Sequence, residues 1–551
     1  MPVITFGYRD LTHLIGREVP AEELISIIPM MGADFHHYDP ATGELGIEFF
    51  PDRPDNYSVE GVARSLRTFL GFEKGLRHYH VTDSGITLKV ERSVEKVRPY
   101  VVAGVVRDVT MTDELIRSMM ELQEKVHLTV GRKRQKVSVG IHDMGAVKPP
   151  FVYKAVDPES ISFVPLAKEE SMNMREILQR HEKGIDYAYI LEGKAKYPII
   201  LDVDGQVLSF PPIINGRLTT VTEHTKNIFI DVTGTDLNTI SGVLNIVATA
   251  FAERGASIHS VRIEGRRKMT TPHLHPAEMR LSVKYANQWL GLDLSPEDMA
   301  TCLMRMGYDA QPEKGRLRVR VPATRMDILH PVDLVEDVAK GYGYARFGSK
   351  MPEVHSIGSE RPIERTADLV RQMMVGHGYY EVTTLTLSSQ REQFEAMRLP
   401  RSGVVEVLNP ITEDHDCLRI SLLPSLLAVL RKSKHRDLPQ RMFEVGDVVI
   451  DTKRRKHLAG VSIHSKASFT EMKSLVEGIV HDLAIDFKIE ASDLPTYIPG
   501  RSAYILAEGA RVGHFGELHP EVMQGHELGY PVAAMELDLD AAMKGRMMRL
   551  V

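Results

Sequence analysis

The hydrophobic and polar positions change period along the chain, and the changes mark four blocks. In residues 1–85 short alternating runs trade with helical ones. The clearest helix is 58–70, with Ser58 placed to cap it and Gly71 to stop it. Residues 86–270 are strand-rich, with strand-like runs at 100–106, 187–191, 197–203 and 228–232 and helical stretches near 171–182 and 236–253. Residues 271–350 follow the His273–Pro276 turn and read strand, helix, helix, hairpin, helix. Ser295-Pro296-Glu297 starts one helix, Gly307 ends it, and 317–321 alternates as a strand. That order predicts a small winged-helix-like module. Residues 351–551 open with a helix near 364–375, pass through strands to an apolar helix at 422–432, and close with more strands. An antiparallel sheet flanked by helices is expected, and the whole chain is a multidomain α+β protein.

An internal repeat runs across the first and third blocks. Met31-Gly32-Ala33-Asp34 resembles Met306-Gly307-Tyr308-Asp309, Arg53-Pro54-Asp55 resembles Arg325-Met326-Asp327, and Glu60-Gly61-Val62-Ala63-Arg64 resembles Glu336-Asp337-Val338-Ala339-Lys340. The order is kept. A duplicated helical module explains it, against coincidence among short common words.

At 551 residues the chain exceeds one ordinary core, which agrees with several domains. Apolar content of 43% and charged content of 26% leave no disordered bulk. The net charge of -6 means that any nucleic acid must be held by local basic runs, of which 132–136, 431–436 and 453–456 are the main ones. Such runs are also ordinary solvated faces. Two distant cysteines, Cys302 and Cys417, form no Cys-x-x-Cys pair and fit a reducing compartment as buried thiols. The start of the chain has no signal-peptide pattern, and no uncharged run approaches about 18 residues. A cytoplasmic protein without a membrane partner is the expectation.

Two clusters carry candidate chemistry. A helix opening at Pro331 would bury Val332, Leu334, Val335, Val338 and Ala339 and set Asp333, Glu336 and Asp337 on the opposite face. With Asp327 from the preceding loop, four carboxylates could converge, and oxygen ligands of this kind suit Mg2+. Acidic residues in a first helical turn also complement the helix dipole with no metal at all. Around 204–236, Asn215-Gly216 between apolar runs reads as a hairpin turn. The alternative is a small-molecule pocket, because Pro211-Pro212 is rigid and Asn215, Asp231, Thr222, Glu223, His224, Thr225, Thr233 and Thr235 crowd polar groups together. Residues 343–350 come close to a phosphate loop without its Gly-Lys-Ser/Thr, and no Gly-x-Ser-x-Gly, His-Glu-x-x-His or Rossmann fingerprint occurs. His273 and His275 lack a further soft ligand nearby for zinc.

Several words together resemble a known family: 51–55 with 58–64, Gly140-Ile141-His142-Asp143, 211–216, Val321-Pro322 with 325–337, Phe443-Glu444-Val445-Gly446-Asp447 and 513–520. They are similar, in order and over nearly the whole chain, to the β subunit of phenylalanyl-tRNA synthetase in its shorter archaeal and eukaryotic form. That resemblance implies an α2β2 heterotetramer in which the α subunit binds ATP and phenylalanine and charges the tRNA for phenylalanine. It implies Mg2+ at Asp327, Asp333, Glu336 and Asp337, shared with α, and a tRNA-editing domain in the second block. The last block then resembles a class II synthetase fold. After Leu422 it has no Gly-x-Gly-x-Gly-x-x-Arg to engage ATP phosphates, so it is expected to be silent in aminoacylation. Editing has a physical rationale, because a pocket shaped for phenylalanine rejects an added hydroxyl by only about 10²-fold. Asn215 and Asp231 are expected to line the editing pocket. Two other readings compete: a free-standing hydrolase of tyrosyl-tRNA, and a nucleic-acid scaffold, which the acidic face of the third block disfavours.

Overall fold

The computed structural model describes residues 2–354 and 356–544, and its contacts divide the chain into two compact units, Met1–Lys350 and Met351–Val551. The first unit contains three of the blocks read from sequence. Its opening module runs strand Val3–Gly7, helices Tyr8–Ile15 and Ala21–Ile27, strands Ala33–Asp39 and Glu44–Phe49, then helix Val59–Phe69. Ser58 caps that last helix as expected, its hydroxyl accepting from the Gly61 amide at 3.3 Å.

The third block repeats this plan element by element: strand Ala277–Ser282, helices Val283–Leu290 and Pro296–Arg305, strands Asp309–Glu313 and Arg316–Val321, and helix Pro331–Tyr342. In both modules the last strand of the three sits between the other two. The repeated words occupy equivalent places. Gly32 and Gly307 turn into equivalent strands with φ of 85° and 84°, a region that side chains with a Cβ rarely adopt. Arg53 grips Asp55 through Nε and Nη2 (2.8 and 3.0 Å), and Arg325 grips Asp327 in the same way (2.9 and 2.6 Å). The sequence repeat is therefore a structural duplication.

Between these modules lies a mixed sheet of ten strands. Along it run Ile214–Asn215, Val207–Phe210, Tyr197–Leu201, Phe151–Val156, Val81–Val90, Ser257–Glu264, Tyr100–Arg107, Ile228–Gly234 and Val137–Asp143, with Lys268–Thr271 added to Ser257–Glu264. Because Val81–Val90 belongs to it, the sheet begins a few residues before the 85/86 border. Helices Asp113–Leu128 and Leu237–Glu253 cover one face, and their cores join that of the opening module through Leu66, Val102, Leu122, Val243 and Phe251. Asp236 starts the second helix by accepting from the Thr239 amide at 2.8 Å.

Two local expectations fail here. Residues 187–191 are not a strand: Glu182–Tyr187 is helical and Ala188–Ile190 is a 3-10 turn. His181 caps this helix by accepting from the Lys183 amide, and the Arg134 guanidinium lies 4.4 Å over the Tyr187 ring. The capping and this stacking override the Tyr-x-Tyr alternation. Nor is Asn215-Gly216 a hairpin turn. Pro211–Ile213 makes that turn, since Ser209 pairs with Asn215 and Phe210 with Ile214. Gly216 has φ -72°, and a Cβ there would come within 2.6 Å of the Val207 carbonyl oxygen. The glycine is needed for close approach, not for a turn.

The second unit is a seven-stranded sheet in the order Tyr380–Glu381, Gln440–Ile450, Lys453–Ile463, Val532–Asp538, Ala510–Leu518, Tyr497–Ala507 and Phe487–Ala491. All neighbours are antiparallel except the first pair. Helices Pro362–Gly376 and Phe469–Asp482 share one core with it, and Leu423–Lys432 shares another. Cys302 and Cys417 are both buried free thiols.

Candidate active site

A cavity of about 390 Å³ opens beside the long sheet, between helix Asp113–Leu128 and the Pro211–Ile213 turn. Ile116, Met119 and Met120 give it an apolar wall, and Ser138–Ile141 of the outermost strand form its floor. The opposite wall is Phe210–Gly216, with Thr219 and Thr220 at its end. Its volume and mixed lining suit an aromatic side chain with a polar end.

Asn215 lines this cavity half-buried, and its Nδ2 donates to the Ile141 carbonyl at 3.4 Å. Asp231 does not line it. It sits in the central strand Ile228–Gly234, 1% exposed, paired in register with Gly140 on one side and Ala103 on the other. A fully buried carboxylate requires partners. It accepts from His142 Nε2 at 2.7 Å, and His142 Nδ1 lies 2.8 Å from the Thr219 hydroxyl. A proton on Nε2 satisfies all three groups: Thr219 donates to Nδ1, and Nε2–H donates to the carboxylate. Asp231 thus reaches the cavity indirectly, through a carboxylate–imidazole–hydroxyl chain under its floor. This corrects the expectation that it lines the pocket. Asp231 lies on a strand paired on both sides, and its carboxylate is taken up by His142 of the neighbouring strand.

Gly140 makes that chain possible. A Cβ there would lie 2.2 Å from Asp231 Oδ2 and 2.7 Å from His142 Nε2. His142 and Thr219 were missed in the residue reading, although His142 lies in the Gly-Ile-His-Asp word. Its signal was a histidine two residues from a glycine on an apolar strand. Of the other polar groups expected nearby, Thr222, Glu223 and His224 are exposed, and Thr233 accepts from Arg98 Nε at 2.8 Å. Those serve loops and packing.

Arg134, in the basic run 132–136, is also withdrawn from any phosphate. It is buried, donates to the Ile213 carbonyl at 2.8 Å and pairs with Glu124 at 2.9 Å, fixing the Pro211–Ile213 wall.

The acidic cluster does not assemble as expected. Asp337 is 1% exposed, not on a solvated face: it pairs with Arg325 Nη2 at 2.7 Å and accepts from the Tyr308 hydroxyl. Burial opposes its charge, yet Arg325, Arg53 and Lys340 hold its pKa below the ordinary carboxylate value. Asp327 is bound by the same Arg325, and Asp333 accepts the Leu329 and His330 amides at 2.8 and 2.7 Å, capping the helix. Glu336 is exposed and pairs with Lys340 at 2.8 Å. Among the described residues no group of three or more His, Cys, Asp or Glu is placed to hold a metal. The carboxylates are committed to arginine, lysine and helix amides, so this chain's own residues do not fit Mg2+. The sequence pattern misled because Arg325 and the Tyr308 hydroxyl sit on the side assigned to solvent.

In the second unit, two buried polar pairs fill the sheet beside helix Leu423–Lys432. Arg419 donates to Glu444 at 2.8 Å and to Thr384, and Glu536 accepts from His457 at 2.8 Å and from the Leu422 amide at 3.0 Å. Arg419 is thereby held by protein groups. Among the described residues no helix is long and apolar enough to cross a membrane.

Known proteins bear on these observations directly. Residues 279–344 match the family model described as the tRNA synthetase B5 domain, and residues 348–539 match that of the phenylalanyl tRNA synthetase beta chain CLM domain. The phenylalanine–tRNA ligase beta subunit of Methanothrix thermoacetophila is 46% identical over 98% of this chain and 100% of its own length. That of Archaeoglobus fulgidus is 44% identical over 98% of each chain. A crystal structure of an N-terminal fragment of the phenylalanyl-tRNA synthetase beta subunit from Pyrococcus horikoshii is 38% identical. It aligns with TM-score 0.60 over 62% of this chain and 99% of that one. Identity at this level along the full length, with both family models in order, establishes that the chain belongs to the family of phenylalanine–tRNA ligase beta subunits.

Proposed function

We propose that the chain acts in the cytoplasm as the β subunit of an α2β2 phenylalanine–tRNA ligase. Its α partner binds ATP and phenylalanine and carries out the charging of the tRNA. The class II-like unit, 351–551, contributes structure, and Arg419, paired with Glu444, is unavailable to grip ATP phosphates. The duplicated modules, 1–85 and 271–350, flank an editing domain at 86–270. A Mg2+ ion shared with α would need ligands from that partner, because within this chain only Asp333 and Glu336 of the four carboxylates point away from arginine.

In the editing domain, the 390 Å³ cavity removes tyrosine from mischarged tRNA. The single observation that carries this reading is the Asp231–His142–Thr219 chain beneath an aromatic-sized pocket. The tyrosine ring would lie against Ile116 and Met119, with Asn215 placed to read its hydroxyl. Water attack on the ester needs a base and a held nucleophile. As water attacks the ester carbonyl, Thr219 takes up the water's proton and passes its own to His142 Nδ1, whose imidazolium is steadied by Asp231 on Nε2. The proton then returns through Thr219 to the departing ribose oxygen.

The test is hydrolysis of tyrosyl-tRNA by the complex with α. His142→Ala is expected to slow deacylation at least a hundredfold while phenylalanine charging stays at the wild-type rate. Unchanged deacylation would remove the proposed relay.

A further inference from the structure

The cavity wall uses only part of the basic run 132–136. The run forms a closed turn, in which the Lys136 amide donates to the Gly131 carbonyl at 2.8 Å and the Arg134 amide to the His127 carbonyl at 3.2 Å. Within it Arg132, Lys133 and Arg134 have φ of 49°, 53° and 65°. Three successive left-handed residues without a glycine are costly, because each Cβ crowds the following carbonyl oxygen. Arg134 accounts for part of that cost, since it turns inward and holds the Pro211–Ile213 wall. Arg132 and Lys133 are exposed, and among the described residues neither side chain has a hydrogen bond or ion pair. The run 453–456 differs: its Arg454, Arg455 and Lys456 pair with Asp447 and Asp538.

These two cations stand at the edge of the 390 Å³ cavity, next in sequence to Arg134, which lines it. A second segment is tied to the same place. The Tyr189 hydroxyl donates to the Lys133 carbonyl at 3.1 Å, and the Arg134 guanidinium lies 4.4 Å over Tyr187, the last residue of helix Glu182–Tyr187. That helix brings Lys183 into the cavity lining, half-buried and likewise without a side-chain hydrogen bond or ion pair among the described residues. Glu124, the carboxylate of the lining, is held by Arg134 at 2.9 Å. Glu182 and Asp186 share the helix with Lys183 but stand outside the lining. One lip of the cavity is therefore cationic.

We infer that Arg132, Lys133 and Lys183 grip backbone phosphates of the last nucleotides of the tRNA while its ester lies in the cavity. This inference rests on the editing reading given above. The amino acid is carried on the terminal ribose, so the strand leading away from the cavity must cross its lip, and the nearest charges on that strand are phosphates. Long cationic side chains reach such charges from the surface without filling the pocket. Because the three head groups are unpaired in the free chain, no ion pair is lost when the phosphates arrive. The strained turn fixes where the first two stand. The role is one of positioning: the lip holds the RNA, and Thr219 and His142 carry the proton.

The experiment compares two esters on the complex with α: tyrosyl-tRNA, and 3′-O-tyrosyl-adenosine, which has no phosphate. In the double variant Arg132→Gln, Lys133→Gln, KM for tyrosyl-tRNA should rise about tenfold or more with kcat within about twofold, while tyrosyl-adenosine is hydrolysed with wild-type kinetics. Arg132→Lys, which keeps the charge, should keep the wild-type KM. With Lys183→Gln added to the double variant, the slope of log KM against log salt should fall below that of wild type by about 2, at ~0.7 for each single-strand phosphate contact. The proposal is overturned if the double variant keeps the wild-type KM and salt slope on tyrosyl-tRNA that the wild-type complex hydrolyses; the editing reading then stands alone. A KM increase shared by tyrosyl-adenosine would overturn it too, by showing that the turn only shapes the cavity. Hydrolysis of neither ester by the wild-type complex would sink the editing reading and the cationic lip together.

Discussion

Asp55 and Asp337 show how single buried carboxylates are kept charged in this chain. Asp55 is 4% exposed, and burial alone would raise its pKa, but Arg53, Arg325 and Arg64 hold it down to about 2, from 3.8. Because the folded value lies below the unfolded one, its stabilisation is complete above 3.8 and is lost as pH falls through about 2. Asp55→Asn leaves Arg53 and Arg64 facing an uncharged amide and should destabilise the first unit by about 3 kcal/mol near neutral pH. Urea unfolding should show that gap closing as pH is lowered from about 5 towards 2. A gap that stayed constant with pH would mean the loss is steric. Residue identity alone was a good guide to partners of this local kind: Arg-x-Asp is a two-residue bidentate pair and was visible as a repeated word. It was a poor guide to Asp231, whose partner His142 lies 89 residues before it and is itself bound to Thr219, at the end of the 3-10 turn Arg217–Thr219.

Among elements, those that carry their own start and stop signals were legible, and those fixed by neighbours were not. Ser58, Asp236 and Ser295 each cap the helix they were expected to open or lie beside, and the strand–helix–helix–hairpin–helix order of the third module appears as read. Residues 187–191 and the 211–216 turn failed because their shape depends on partners that the local pattern does not show: the His181 cap, the Ser209–Asn215 pairing and Arg134. Arg134 stacks on Tyr187 and holds the Ile213 carbonyl, and nothing in either segment announces it. The acidic helix failed for the same reason, since the buried face of Pro331–Tyr342 includes Asp337 only because Arg325 and Tyr308 come to meet it. The Pro211–Ile213 wall of the 390 Å³ cavity is therefore tied down by Arg134. Arg134→Met is predicted to raise KM for tyrosyl-tRNA hydrolysis by about tenfold while kcat falls by less than about threefold, as expected when a binding wall loosens and the reacting groups stay in place. A kcat loss as large as that of His142→Ala would contradict this division.

For the molecule as a whole, the opening module and the long sheet share one core, while residues 351–551 have cores of their own. The sequence made the family plain, since 98% of the chain aligns with a phenylalanine–tRNA ligase beta subunit. The absence of a phosphate-gripping arginine motif after Leu422, with Arg419 committed to Glu444, leads to a simple expectation. Mixed with ATP, phenylalanine and tRNA, the purified chain should form no phenylalanyl-tRNA, and adding the α subunit should restore charging. Charging by the chain alone would assign the chemistry to the wrong subunit.

The claim on which most depends is that the cavity between helix Asp113–Leu128 and the Pro211–Ile213 turn receives a tyrosyl ester. Its most direct test is a crystal structure of the complex with a non-hydrolysable amide analogue of the tyrosyl-adenosine end of tRNA. The ring is predicted against Ile116 and Met119, its hydroxyl within reach of Asn215, and its carbonyl carbon beside the Thr219 hydroxyl. An analogue bound elsewhere on the sheet, or one whose ring points away from this pocket, would contradict the account.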